Sequence, residues 1–123
     1  MSALVILVSV ALASNTRPVA AGMEVPNAIV KQHNAYVLCQ DANFDIQRVT
    51  DKRSFIAEVE KAITACSDQK SVLSQEAEKT LLSTAEYADP AKRRLALCEA
   101  FDSYDEMRRA MALGTKTYKV TCR

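Results

Sequence analysis

The sequence predicts an all-α protein: a small bundle of three to four helices with a short extended C-terminal tail, stapled by disulfides. Three observations predict it. Only two Gly and three Pro occur in 123 residues, too little turn punctuation for a chain of many short strands. Apolar residues recur at helical spacing over most of the length. Four widely spaced cysteines, Cys39, Cys66, Cys98 and Cys122, follow an N-terminal apolar run. That combination points to an oxidising compartment.

The apolar run extends from Ala3 to Ala13. It is much shorter than the roughly 20 residues a membrane-spanning helix needs, so it reads as the core of a signal peptide. No Lys or Arg precedes it, which departs from the usual charged start. Two small-x-small cleavage sites follow, Ala11-Leu12-Ala13 and Val19-Ala20-Ala21. The second is preferred because Arg17 and Pro18 then leave with the signal. The expected organisation is a removed signal over 1–21 and a single helical domain over 22–123. No cysteine lies near either cut, which disfavours a lipoprotein anchor. No stable membrane anchor is expected.

The first helix is expected to begin at Pro26, since Pro suits the first helical turn, and to run to about Arg48. Ile29, Val30, Tyr36, Val37, Cys39 and Phe44 share its apolar face. Thr50 or Asp51 is placed to cap the next helix. There Ile56, Val59, Ile63, Cys66, Leu73, Ala77 and Leu81 recur in steps of three and four, interrupted at Lys70. This stretch either runs on to Glu86, with or without a kink, or restarts at Ser67-Asp68. Asp89-Pro90 then starts the last helix, with Leu97, Cys98, Phe101, Tyr104 and Met111 on one face. Gly114 stops it, because the left-handed stop position suits Gly. Tyr118, Val120 and Cys122 alternate with Lys119 and Thr121, as an extended strand would, but no partner strand is evident.

Four cysteines allow three pairings. The midpoint of Cys39 and Cys66 falls at the turn proposed at Thr50 to Arg53. Residues equidistant from the turn of an antiparallel helical hairpin face each other, so Cys39–Cys66 is expected. Cys98–Cys122 follows and pins the tail. A redox site would show a Cys-x-x-Cys pair, and structural zinc would bring ligands in close pairs. Neither spacing occurs, and no metal or cofactor is expected.

The charge balance, 16 Lys and Arg against 15 Asp and Glu, falls to near zero once Arg17 is lost. Nucleic-acid binding draws most of its affinity from a positive excess, so no nucleic-acid partner is expected. His33 is the single histidine and falls on the apolar arc, as a half-buried residue with one hydrogen bond. Asp41 with Asp45, and Asp102 with Glu106, read as solvated helix faces. Asp105 is expected to pair with Arg108 or Arg109 at helical spacing. With no nucleophile motif or convergent acid–base set, the chain is not expected to be an enzyme.

Two surfaces remain as candidates. Lys92, Arg93 and Arg94 form the one basic cluster, in the first turn of a helix where the dipole disfavours cations. Neutralisation by Glu86, Asp89 and Glu99 is expected; the alternative is that the cluster forms a candidate contact for an acidic partner. Tyr36, Phe101, Tyr104 and Met111 are the candidate lining of a ligand cavity, although core packing would use the same residues.

Cysteine pairs on successive amphipathic helices after a signal peptide resemble small four-cysteine helical periplasmic proteins of proteobacteria. Tyr36-Val37-Leu38-Cys39 and the segment Glu58 to Cys66 carry this resemblance. It implies a periplasmic location and no particular activity. The cysteines also resemble the four-cysteine subset of insect odorant-binding proteins, secreted carriers of apolar ligands. There the retained cysteines correspond to the same pairing, but the long spacing from Cys98 to Cys122 departs from the pattern. The expectation is therefore a non-enzymatic periplasmic or secreted protein that contacts another envelope or secreted protein. The alternative is a small apolar-ligand carrier.

Overall fold

The structure, a computed structural model, describes residues 16–21, 23–120 and 122. The apolar run Ala3 to Ala13 lies outside the described residues. Five α-helices are present among those described: α1 Val30–Ala42, α2 Lys52–Ala65, α3 Ser67–Leu82, α4 Pro90–Ala100 and α5 Asp102–Leu113. Two short strands, β1 Thr16–Pro18 and β2 Thr117–Lys119, form an antiparallel pair. The protein is all-α apart from this small sheet.

The first helix is shorter than expected at both ends. A 3₁₀ turn at Asn27–Ile29 follows Pro26, and the α-helix starts at Val30. It stops at Ala42 because the Asn43 side chain donates to the Cys39 carbonyl at 2.9 Å. A short amide that serves the last turn competes with continued helix. Asp45 then leaves the helical region and accepts from the Gln47 amide at 3.0 Å, starting a separate 3₁₀ turn at Ile46–Arg48. Asp41 and Asp45 therefore do not share a helix.

Asp51 is the cap of α2. Its side chain accepts from the Ser54 amide at 2.8 Å, and the Ser54 hydroxyl accepts from the Asp51 amide at 3.0 Å. This reciprocal box satisfies donors that a helix start otherwise leaves open. The long periodic stretch breaks at one residue, Cys66 (φ −98°, ψ 7°), and restarts at Ser67. The Ser67 hydroxyl donates back to the Thr64 carbonyl at 2.9 Å. A second break, at Phe101 (φ −122°, ψ −59°), divides the expected last helix into α4 and α5. Asp102 and Asp105 stand in the first turn of α5, where carboxylates favour a new helix start. Asp89 caps α4 by accepting from Ala91 at 2.9 Å. Gly114 ends α5 at φ 74°, as expected.

Helix α1 packs on α2 and α3, α5 packs on α2 and α4, and α3 meets α4. The core between them holds Ile29, Tyr36, Leu73, Leu81, Phe101 and Tyr104. The tail is not unpartnered, as the sequence suggested: Arg17 stands opposite Tyr118, with Thr16 opposite Lys119. The pairing was hidden because Thr16–Pro18 reads as part of a leader. No helix among the described residues is long and apolar enough to cross a membrane.

Both expected disulfides are present. Cys39–Cys66 joins α1 to the α2–α3 hinge, and Cys98–Cys122 joins α4 to the tail. They close segments of 27 and 24 residues. Each bridge removes unfolded-chain entropy worth about 3.5 kcal/mol for loops of this size. Replacing Cys39 and Cys66 together by Ser should lower the unfolding free energy by roughly 3 kcal/mol. Urea unfolding checks this, and a loss below about 1 kcal/mol would count against the entropic account.

Candidate functional site

The first candidate set, Tyr36, Phe101, Tyr104 and Met111, is only partly brought together. The Tyr36 ring meets Phe101 at 5.6 Å and Tyr104 at 6.0 Å between centroids, both edge to face. All three are buried, whereas Met111 is 47% exposed on α5. Rings in edge-to-face contact fill their own space and favour one another electrostatically. His33 completes the group, 5.5 Å from Tyr104. Its Nδ1 lies 2.6 Å from the Ala100 carbonyl oxygen. A carbonyl only accepts, so Nδ1 carries the proton.

Above these rings lies a polar hub that the sequence did not reveal. Asp105 is 4% exposed. Its Oδ1 accepts from the Tyr36 hydroxyl at 2.7 Å and from Gln40 Nε2 at 2.6 Å. Its Oδ2 accepts from Lys70 Nζ at 2.9 Å, and Lys70 also donates to Asp102. The expected pairing of Asp105 with Arg108 or Arg109 is therefore corrected. The first turn of α5 faces inward here, towards α1 and α3. Arg108 instead pairs with Asp41 at 3.3 Å and lies over the Phe44 ring. Arg109 joins Glu60 at 2.6 Å and Glu106 at 2.7 Å. Asp102 and Glu106 thus serve different cations.

The electrostatics of the hub follow from burial and from Asp105. Burial pushes the Tyr36 phenol well above its ordinary range, and its hydrogen bond to Asp105 pushes it further. Burial pulls the Lys70 ammonium down, but the hydrogen bonds to Asp102 and Asp105 outweigh that, and the net direction is up. At neutral pH a neutral phenol and a charged ammonium both donate to one carboxylate. Gln40 Oε1 is buried without a partner. Each oxygen of Asp105 is already engaged by the protein's own donors, so the hub joins helices. Among the described residues no group of His, Cys, Asp or Glu is arranged to hold a metal ion.

The signal for the hub was present in two places. Lys70 interrupts an otherwise regular apolar series, and that interruption marks where the series meets a buried carboxylate. Asp102-Ser103 carries, in reverse order, the same two residue types as Ser67-Asp68, which marks the other helix restart.

The second candidate set, Lys92, Arg93 and Arg94, divides by role. Arg93 turns back, and its Nη1 donates to the carbonyls of Tyr87 at 2.9 Å and Ala88 at 2.8 Å. It caps the short 3₁₀ turn Ala85–Tyr87. Lys92 and Arg94 are exposed, and neither forms an ion pair among the described residues. The expected neutralisation by Glu86, Asp89 and Glu99 does not occur through direct pairs: Asp89 caps α4, and Glu99 binds Arg17. Lys92 borders a groove of about 280 Å³ whose walls include Glu24, Glu86, Tyr87, Leu95 and Glu99. Leu95 is 48% exposed. A smaller dent of about 110 Å³ lies between α2 and α5, lined by Ile56, Val59 and Leu113.

Comparison of the chain with protein-family models, with curated proteins and with solved structures returned no match.

The hub carries a pH signature. Tyr36 and Lys70 both have folded-state values above their ordinary 10.0 and 10.5. Protonated groups favoured by the fold add stability that is complete below the unfolded values and is lost as pH rises through the folded ones. Stability should therefore fall above about pH 10. Tyr36→Phe removes one of the groups responsible and should flatten that slope. It should also cost roughly 1–3 kcal/mol near neutrality, where a buried hydrogen bond is lost. Urea midpoints across the alkaline range check both effects, and an equal slope in the two proteins would exclude Tyr36 as a contributor.

Proposed function

We propose that this is a non-enzymatic protein, exported to the periplasm or secreted, that works by docking another envelope or secreted protein. The disulfides are compatible with an oxidising compartment, and the apolar N-terminal run supports export. The observation that carries the docking reading is the edge of the groove on α4. There the exposed Leu95 and Lys92 both border the groove, and the exposed Arg94 directly precedes Leu95 on the helix. An apolar centre with a polar rim is the general anatomy of a specific interface. The complementary surface is an acidic patch around an apolar side chain. The carrier reading has less support, because Tyr36, Phe101 and Tyr104 fill their space with one another and Met111 stands apart.

A photo-crosslinking residue at position 95 tests this in the exported protein. A discrete adduct should form there, and no equivalent adduct should form from a probe at exposed Glu76 on α3. Lys92→Glu with Arg94→Glu should weaken capture roughly tenfold or more, since like charges at an interface repel, and should leave the melting temperature unchanged. Arg93→Ala should instead lower stability by about 1 kcal/mol through its lost carbonyl contacts. Equal adducts from positions 95 and 76, or capture indifferent to the charge reversal, would sink the reading.

A further inference from the structure

We infer that maturation cuts this chain at the Ala13–Ser14 bond, so that Thr16–Ala21 stays on the mature protein as a structural edge. The inference rests on the export reading above. Both small-x-small sites satisfy the sequence requirement for a leader peptidase, and the fold distinguishes between them. The bond itself lies outside the described residues. Its hydrolysis adds the hydroxyl of water to the Ala13 carbonyl carbon and the remaining proton to the Ser14 nitrogen.

A cut after Ala21 would remove built structure. Thr16–Pro18 pairs with Thr117–Lys119 along the tail, and the Val19 amide donates to the Lys116 carbonyl at 2.9 Å. Pro18 has no amide hydrogen and so suits an edge strand. Arg17 grips Glu99 with both terminal nitrogens, Nη2 lying 3.0 Å from Oε1 and Nη1 contacting Oε2. The two side chains are 20% and 13% exposed. Among the described residues no other cation lies within ion-pairing distance of Glu99. Losing Arg17 would leave a mostly buried carboxylate without its partner, which is destabilising. It would also reopen the edge of β2, whose unpaired amides and carbonyls invite association. A cut after Ala13 spares every one of these contacts.

The test uses the full chain with its own leader, expressed in a bacterial host and purified from the periplasm. Intact mass and N-terminal sequencing are read for the wild type, Arg17→Ala and Glu99→Gln. The expected product starts at Ser14 and carries the mass deficit of two disulfides. Both variants should melt about 4–8 °C lower than the wild type, the shift a loss near 1 kcal/mol causes in a domain of this size. Glu99→Gln leaves the leader untouched, so its result stands even if Arg17→Ala alters export. A start at any other residue overturns the inference. A start at Gly22, with Arg17→Ala melting like the wild type, does so while leaving export intact. An uncut chain confined to the cytoplasm overturns export as well.

Discussion

A carboxylate taken out of water must recover its hydrogen bonds from protein groups, and Asp105 recovers them from two other helices. Helix α1 supplies Tyr36 and Gln40, which are four residues apart and therefore share a face. Helix α3 supplies Lys70. The consequence is geometric. Sliding α5 along its axis, or rotating it, separates Asp105 from all three donors at once and draws Asp102, on the same helix, away from Lys70 as well. Replacing such a set by well-packed apolar residues is often neutral in net stability, whereas removing one partner of a buried ion pair costs roughly 3–5 kcal/mol. The hub is accordingly better understood as fixing the register of α1, α3 and α5 than as the main source of stability. That source is the apolar and aromatic layer beneath it, where Tyr36 takes part in both.

The two disulfides act on the same design. Cys39 immediately precedes Gln40, and the Lys70 amide donates to the Cys66 carbonyl at 2.8 Å. The Cys39–Cys66 bridge thus links the residue before one donor of the hub to the residue one turn before another. In the second bridge, Cys98 immediately precedes Glu99, and Cys122 follows the strand that pairs with the Arg17 segment. Each covalent link lies beside a carboxylate whose cation comes from a distant part of the chain. Holding the backbones together first lowers the entropy that each ion pair must overcome.

Much of this architecture could be read from the sequence because its causes are local. Asp51, Asp89 and Gly114 act within one turn of their own positions, and each cap or stop stands where spacing puts it. The Cys39–Cys66 pairing follows from hairpin symmetry. Other features depend on what lies across the molecule. Asp105 looks like a surface charge, since helical spacing offers it Arg108 and Arg109, and only the packing of α5 against α1 and α3 turns it inward. The break at Phe101 is equally quiet, because backbone bonds from Phe101 to Leu97 and from Asp105 to Phe101 persist across it. Thr16–Pro18 carries too few residues to declare itself a strand. The aromatic set was correctly placed on inward faces, but spacing says nothing about whether facing rings leave a void.

The basic cluster shows how a cost in the free protein bears on the proposed docking function. A cation in the first turn of a helix opposes the helix dipole by roughly 0.3–1 kcal/mol. Arg93 offsets this by reaching back to the carbonyls of Tyr87 and Ala88, so its place is explained within the fold. Lys92 and Arg94 gain no ion pair among the described residues, and an acidic residue at either position would suit the helix better. Their charge is therefore not accounted for by folding. An anionic partner would account for it, because bound acidic groups at this end of α4 would meet the two side chains together. Leu95, next along the helix and half exposed, adds the apolar contact that charge attraction alone does not provide. The mismatch that weakens the helix in isolation is the term that binding would relieve.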